Sequence, residues 1–173
     1  MTVATLVVLA VTAAAGLLLT AIGERVRSPW PAVGLSVLLA VAAVLAWNAG
    51  AAGARLVQVT TVVGALAAVA GGGPVATAVL HAADPTSAAT AGGPGDPEVL
   101  RGGAWVGVLE RAAVAGSLLT GWPEGLAVLI AVKGLGRYAE LKAPAAAERF
   151  IIGTLASGLW AAGCVGAVAL LGR

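Results

Sequence analysis

Cysteine, histidine, tyrosine and phenylalanine each occur once in these 173 residues, and ionisable side chains are scarce, with 10 Lys or Arg and 8 Asp or Glu. The lone Cys164 excludes an internal disulfide and, set in a late apolar run, reads as helix packing. The lone His81 leaves Ser117, Thr120, Thr154 and Ser157 without the imidazole that would activate a hydroxyl, so these four read as interhelical hydrogen-bonding groups. No cluster of His, Cys, Asp and Glu has metal-ligand spacing, so neither a metal nor another cofactor is expected. With so few acids, no carboxylate pair suggests general acid–base work, although Glu110 and Glu148 could meet in space. The positive excess of +2 is dispersed among loop ends rather than gathered into a stripe with interleaved aromatics, which argues against a nucleic-acid partner.

What is present is hydrocarbon. Apolar residues make up 60% of the chain and charged ones 10%, against about a quarter charged in soluble proteins. A bilayer core about 30 Å thick takes about 20 apolar residues per helical span, which leaves room for five or six spans and no sizeable soluble domain. The expected fold is therefore all-α, a polytopic transmembrane helical bundle of about six spans in two three-helix halves.

The first span is expected over residues 2–23, with Glu24, Arg25 and Arg27 after it and no basic residue ahead of it, the wrong polarity for a signal peptide. The second runs over 30–50, with Pro31 in its first turn. The third covers 56–81, interrupted at Gly71, Gly72, Gly73 and Pro74, which could be the discontinuity of a transporter's broken helix or ordinary membrane-helix glycine and proline. His81 at its end caps the helix dipole or meets headgroups. Residues 84–102, rich in Pro, Gly, Ser, Thr and Asp, read as a cytoplasmic linker between an N-terminal half, 1–83, and a C-terminal half, 103–173.

The C-terminal half opens with a span over 101–120, a hairpin turn at 121–125, a short fifth span over 123–138, a polar connection and a last span over 148–171. The alternative is five spans plus one interfacial helix, with 103–111 lying on the membrane surface. Lys and Arg fall mostly in the odd-numbered loops, so those loops are expected on the cytoplasmic side of the inner membrane with both termini outside. Trp30, Trp105, Tyr138 and Phe150 then sit near the inner boundary and Trp47 and Trp122 near the outer one, while Trp160 falls near mid-depth.

Charge inside the apolar stretches is the one candidate for function. At about 1.5 Å per residue, Glu110 and Lys133 both approach the membrane midplane on neighbouring helices, so pairing across the hairpin is the economical arrangement. Arg111 points about 100° away from Glu110. Lys133, Arg137 and Glu140 share a helix face, as do Gly103, Gly107 and Glu110, the latter a small-residue groove that could take a neighbouring helix or a ligand. Glu148 and Arg149 begin the last span on the same side. Gly153 and Ser157 form a small-xxx-small pattern suited to close packing within the chain or between subunits. The expected site is thus a ligand-binding or ion-pair cluster of Glu110, Arg111, Lys133, Arg137, Glu148 and Arg149, with more cations than anions. Its charges either receive an anion from the cytoplasmic side or neutralise one another and snorkel to the interface.

The runs Gly107-Val108-Leu109-Glu110-Arg111, Glu124-Gly125-Leu126-Ala127, Ala131-Val132-Lys133-Gly134-Leu135-Gly136-Arg137-Tyr138 and Glu148-Arg149-Phe150-Ile151-Ile152-Gly153-Thr154 resemble the C-terminal part of a family of uncharacterised bacterial integral membrane proteins. In that family an LER helix, an AAKS..RF helix and an E.F.IGT helix recur. The resemblance covers roughly residues 101–161 and does not extend to the first half, which lacks the His and Asp residues expected near its start. It implies a shared charge pattern and brings no activity, substrate or cofactor.

Three roles follow as expectations. A non-catalytic protein would bind or move a small anionic or lipidic ligand, with membrane lipids as its partners. A membrane subunit would assemble with itself or with another membrane protein. An intramembrane enzyme acting on a lipid phosphate would use Glu110 as acid or base and Lys133, Arg137 and Arg149 as a phosphate clamp.

Overall fold

A computed structural model describes residues 1–22, 29–50, 52–83 and 97–172, with side chains described at 103 and from 105 onward in the last block. The fold is an all-α bundle whose elements follow in the order α1 (Thr2–Ile22), α2 (Trp30–Trp47), α3 (Ala54–Ala83), α4 (Pro97–Leu119), α5 (Gly125–Gly136) and α6 (Pro144–Ala169). Four of these, α1, α2, α3 and the segment Pro144–Gly172, are long and apolar enough to cross a membrane. The 12 residues of α5 reach only about 18 Å, well short of a bilayer core, so the expected fifth span is not a full crossing by itself. The outward faces of α1 and α2 carry Val3, Val7, Val11, Val33, Val37 and Val44, all exposed, an apolar coat that suits lipid rather than water. Glu24, Arg25, Arg27 and residues 84–96 of the expected linker lie outside the described residues; α4 starts at Pro97, ahead of the boundary expected at residue 103.

The long α3 lies at the centre, packed against α1 on one side and α6 on the other, with α2 and α4 closing the remaining flanks. Small residues make this possible. Gly16 of α1 meets α3 so closely that a Cβ there would lie 2.8 Å from the Gly71 nitrogen, and Gly64 leaves room for Val168 and Cys164 of α6. Between them, Ala13, Ala67, Ala68, Ala161 and Cys164 form the buried core with Trp160. The hydroxyls of Thr12, Thr20, Ser36, Thr60, Thr61 and Thr120 each donate to the carbonyl four residues back on their own helix, so Thr120 makes no interhelical bond among the described residues.

The expected break in α3 is absent: the helix runs through Gly71, Gly72, Gly73 and Pro74 without interruption. The glycines serve packing instead. A Cβ at Gly71 would strike the Trp160 indole and one at Gly72 the Arg111 side chain, so the triplet is a notch cut into α3 for two large side chains from α6 and α4. Trp160, expected at mid-depth, lies buried in that notch and donates Nε1–H to the Ala67 carbonyl at 3.1 Å.

The hairpin between α4 and α5 is closed by a glycine cap. Gly121 takes φ +72°, a left-handed value that disfavours a side chain, while Trp122 N–H bonds Ser117 O at 2.8 Å and Gly121 N–H bonds Leu118 O at 3.2 Å. This 6→1 and 5→2 pair is the Schellman pattern, and it returns the chain antiparallel to α4.

Candidate functional site

On α4 two neighbouring charges part company. Glu110 turns toward α5 and accepts a hydrogen bond from Lys133 Nζ at 2.6 Å, with side-chain exposures of 15% and 21% respectively. The α6 contribution to this pair is an aromatic ring, since Lys133 Nζ also stands 5.5 Å from the centroid of Phe150. Arg111 turns the opposite way, toward the α3 notch, where it is only 6% exposed. Its Nε donates to the Val69 carbonyl at 2.7 Å, and its terminal nitrogens lie beside Gly107 and Gly73. Gly107 therefore accommodates the arginine of its own helix; a Cβ there would lie 3.1 Å from Nη1. No carboxylate approaches within 4.0 Å of the guanidinium among the described residues.

The other expected members are elsewhere. Arg137, just past the end of α5, pairs with Glu140 at 3.6 Å in an exposed contact on the turn that leads to α6. Glu148 and Arg149 line a separate small cavity with Leu80 and Ala83 from the end of α3. The six charges thus form three groups rather than one cluster, because α5 is too short to carry Arg137 on a shared helix face with Lys133 and because the start of α6 packs beside the end of α3. The phosphate clamp of Lys133, Arg137 and Arg149 does not assemble around a single cavity.

A cavity of about 200 Å³ does open between α4, α5 and α6. Leu126, Leu129, Leu155 and Leu159 form its walls, and Glu110, Arg111 and Lys133 border it, but nearly all of its accessible surface is hydrocarbon. Ile130, Leu155 and Leu159 are exposed on the outer surface, which places the mouth of the cavity on the side of the bundle. Thr154 also lines it. Its Oγ1 is the one buried side-chain polar atom with no hydrogen-bond partner among the described residues. Thr12, Thr20, Ser36, Thr60, Thr61 and Thr120 by contrast bond their own backbone. The sequence groups Thr154 with Ser117, Thr120 and Ser157, and of these four the α4–α5–α6 gap takes Thr154 and Ser157 into its lining.

Among the described residues, no group of three or more His, Cys, Asp and Glu side chains could hold a metal ion. A partly desolvated ion pair and a buried arginine therefore border one largely apolar cavity. No family model, curated protein or solved structure matches the chain.

Proposed function

We propose that this chain is a non-catalytic integral protein of the cytoplasmic membrane that binds an anionic, lipid-like ligand in the cavity between α4, α5 and α6. The observation that carries the reading is Arg111: buried, with one backbone acceptor and no carboxylate within 4.0 Å among the described residues, at the edge of a cavity walled almost wholly by hydrocarbon. A buried charge is costly unless compensated, and an ionisable residue inside a hydrocarbon-facing bundle is a candidate for a ligand path. The apolar walls and lateral mouth favour a ligand that arrives through the membrane rather than from water. Both termini are placed outside and the charged ends of α4 and α6 at the inner leaflet, as the distribution of Lys and Arg suggests.

Native mass spectrometry of the full chain released from a gentle detergent tests this. Wild-type protein is expected to carry an anionic lipid-sized adduct that is lost in Arg111→Gln while helical content is retained. A homogeneous, adduct-free wild-type spectrum would contradict the proposal.

A further inference from the structure

What the α4–α5–α6 cavity can hold follows from what its walls offer, a step that rests on the reading of it as the ligand site. Nearly all of its accessible surface is hydrocarbon. The Thr154 hydroxyl oxygen is buried out of reach of a guest, and the terminal nitrogens of Arg111 lie beside Gly73 and Gly107, on the α3 side. Water finds no set of polar partners in such a space and stays out. Left empty, the walls would forgo their dispersion contacts on one side, so hydrocarbon is the filling that suits them.

That hydrocarbon arrives from the side. α5 rests on α4 and barely touches α6. Along this seam Ile130, Leu155 and Leu159 are exposed, so in a bundle whose outer face suits lipid the mouth meets the chains of the bilayer. One end of the seam is closed by Lys133, whose Nζ is tied to Glu110 on α4 and stands over the Phe150 ring on α6. The space measures about 200 Å³; a dry apolar cavity of about 150 Å³ holds benzene, so this one takes about eight carbons, one chain end and not a fused ring system.

The floor is Gly158. Thr154, Gly158 and Ala162 follow one another at successive turns of α6, with Leu155 and Leu159 on one flank and Ser157 on the other, which puts the glycine in the middle of the face turned to the cavity. A Cβ on it would meet nothing within 4 Å. We infer that the cavity takes the end of one unbranched hydrocarbon chain of a membrane lipid, entering between α5 and α6 whatever head it carries, and that Gly158 sets how deep the chain goes.

The test photolabels the full chain in a maltoside detergent with decanol and with decanoate, each bearing a diazirine near its methyl end, and maps the adducts by peptide mass spectrometry. Both probes are expected to label residues within 126–130 and 154–162. Gly158→Leu fills about half of the space, so labelling there is expected to fall about fivefold or more. Its melting temperature is expected to hold or rise, because a glycine leaves a helix interior. Gly166→Leu is the control: its Cβ also meets nothing within 4 Å on the same helix, but Gly166 does not line the cavity, and labelling is expected to be unchanged. Ala162→Leu fills the cavity from one turn further along α6 and takes the place of Gly158→Leu should that variant lose helical content. Unchanged labelling in the cavity-filling variant, or an equal fall in Gly166→Leu, overturns the inference. Labelling by decanoate alone also overturns it and leaves the ligand-binding reading intact, since the head would then decide. A wild-type chain that neither probe labels in these residues overturns both.

Discussion

Gly72 on α3 and Arg111 on α4 occupy complementary halves of one contact: a Cβ on the glycine would fall on the Cδ of the arginine. The cation therefore reaches its buried position only because α3 presents bare backbone there. Gly72→Ala is expected to lower stability by about 1–3 kcal/mol through overpacking. Gly116→Ala, where a Cβ meets nothing within 4 Å, is expected to be neutral or stabilising by up to about 1 kcal/mol. Thermal melts of the two variants in one detergent check the contrast, and equal losses would contradict the notch.

The Glu110–Lys133 pair holds α5 antiparallel to α4 from one side as the glycine cap does from the end. Lys133→Ala is expected to lower the melting temperature, and adding Glu110→Gln to recover part of the loss, with a coupling of about 0.5–2 kcal/mol in a double-mutant cycle. Additive losses would show that the pair contributes nothing.

Trp160 donates to the Ala67 carbonyl from within the notch. Trp160→Phe keeps most of the packing and deletes the donor, so a loss of about 0.5–1.5 kcal/mol is expected, in the range of interhelical hydrogen bonds in membranes. A loss several times larger in the same melt would show that indole shape, not the N–H, is what the notch holds.

Pro74 lies inside a continuous helix rather than at a functional break. Pro74→Ala is expected to leave helical content by circular dichroism unchanged and the melting temperature equal or higher, since it restores a backbone donor to the Ala70 carbonyl. A marked loss of stability would show that the proline ring is needed for the shape of α3.

The sequence made the all-α membrane character legible because composition and run length answer to the solvent, and lipid admits few alternatives to helices. The hairpin at 121–125 and the meeting of Glu110 with Lys133 were legible for the same kind of reason: a glycine-rich stop and two mid-depth charges each have one economical solution. Three features were not. Gly71–Pro74 carries the residues of a broken helix and of a packing notch alike, and only Trp160 and Arg111 on other helices decide between them. Arg137 parts from Lys133 because α5 ends at Gly136, and Glu148 and Arg149 do because the start of α6 packs beside the end of α3, a tertiary contact that no local pattern fixes. Thr154 is indistinguishable in sequence from threonines that bond their own backbone.

The central claim is that the α4–α5–α6 cavity receives an anionic chain at Arg111, and photolabelling tests it most directly. A diazirine-bearing alkyl carboxylate, irradiated with the full chain and mapped by peptide mass spectrometry, is expected to label residues within 126–130 and 154–162, with labelling suppressed by excess decanoate. Labels spread along the exposed faces of α1 and α2, insensitive to the competitor, would contradict the account.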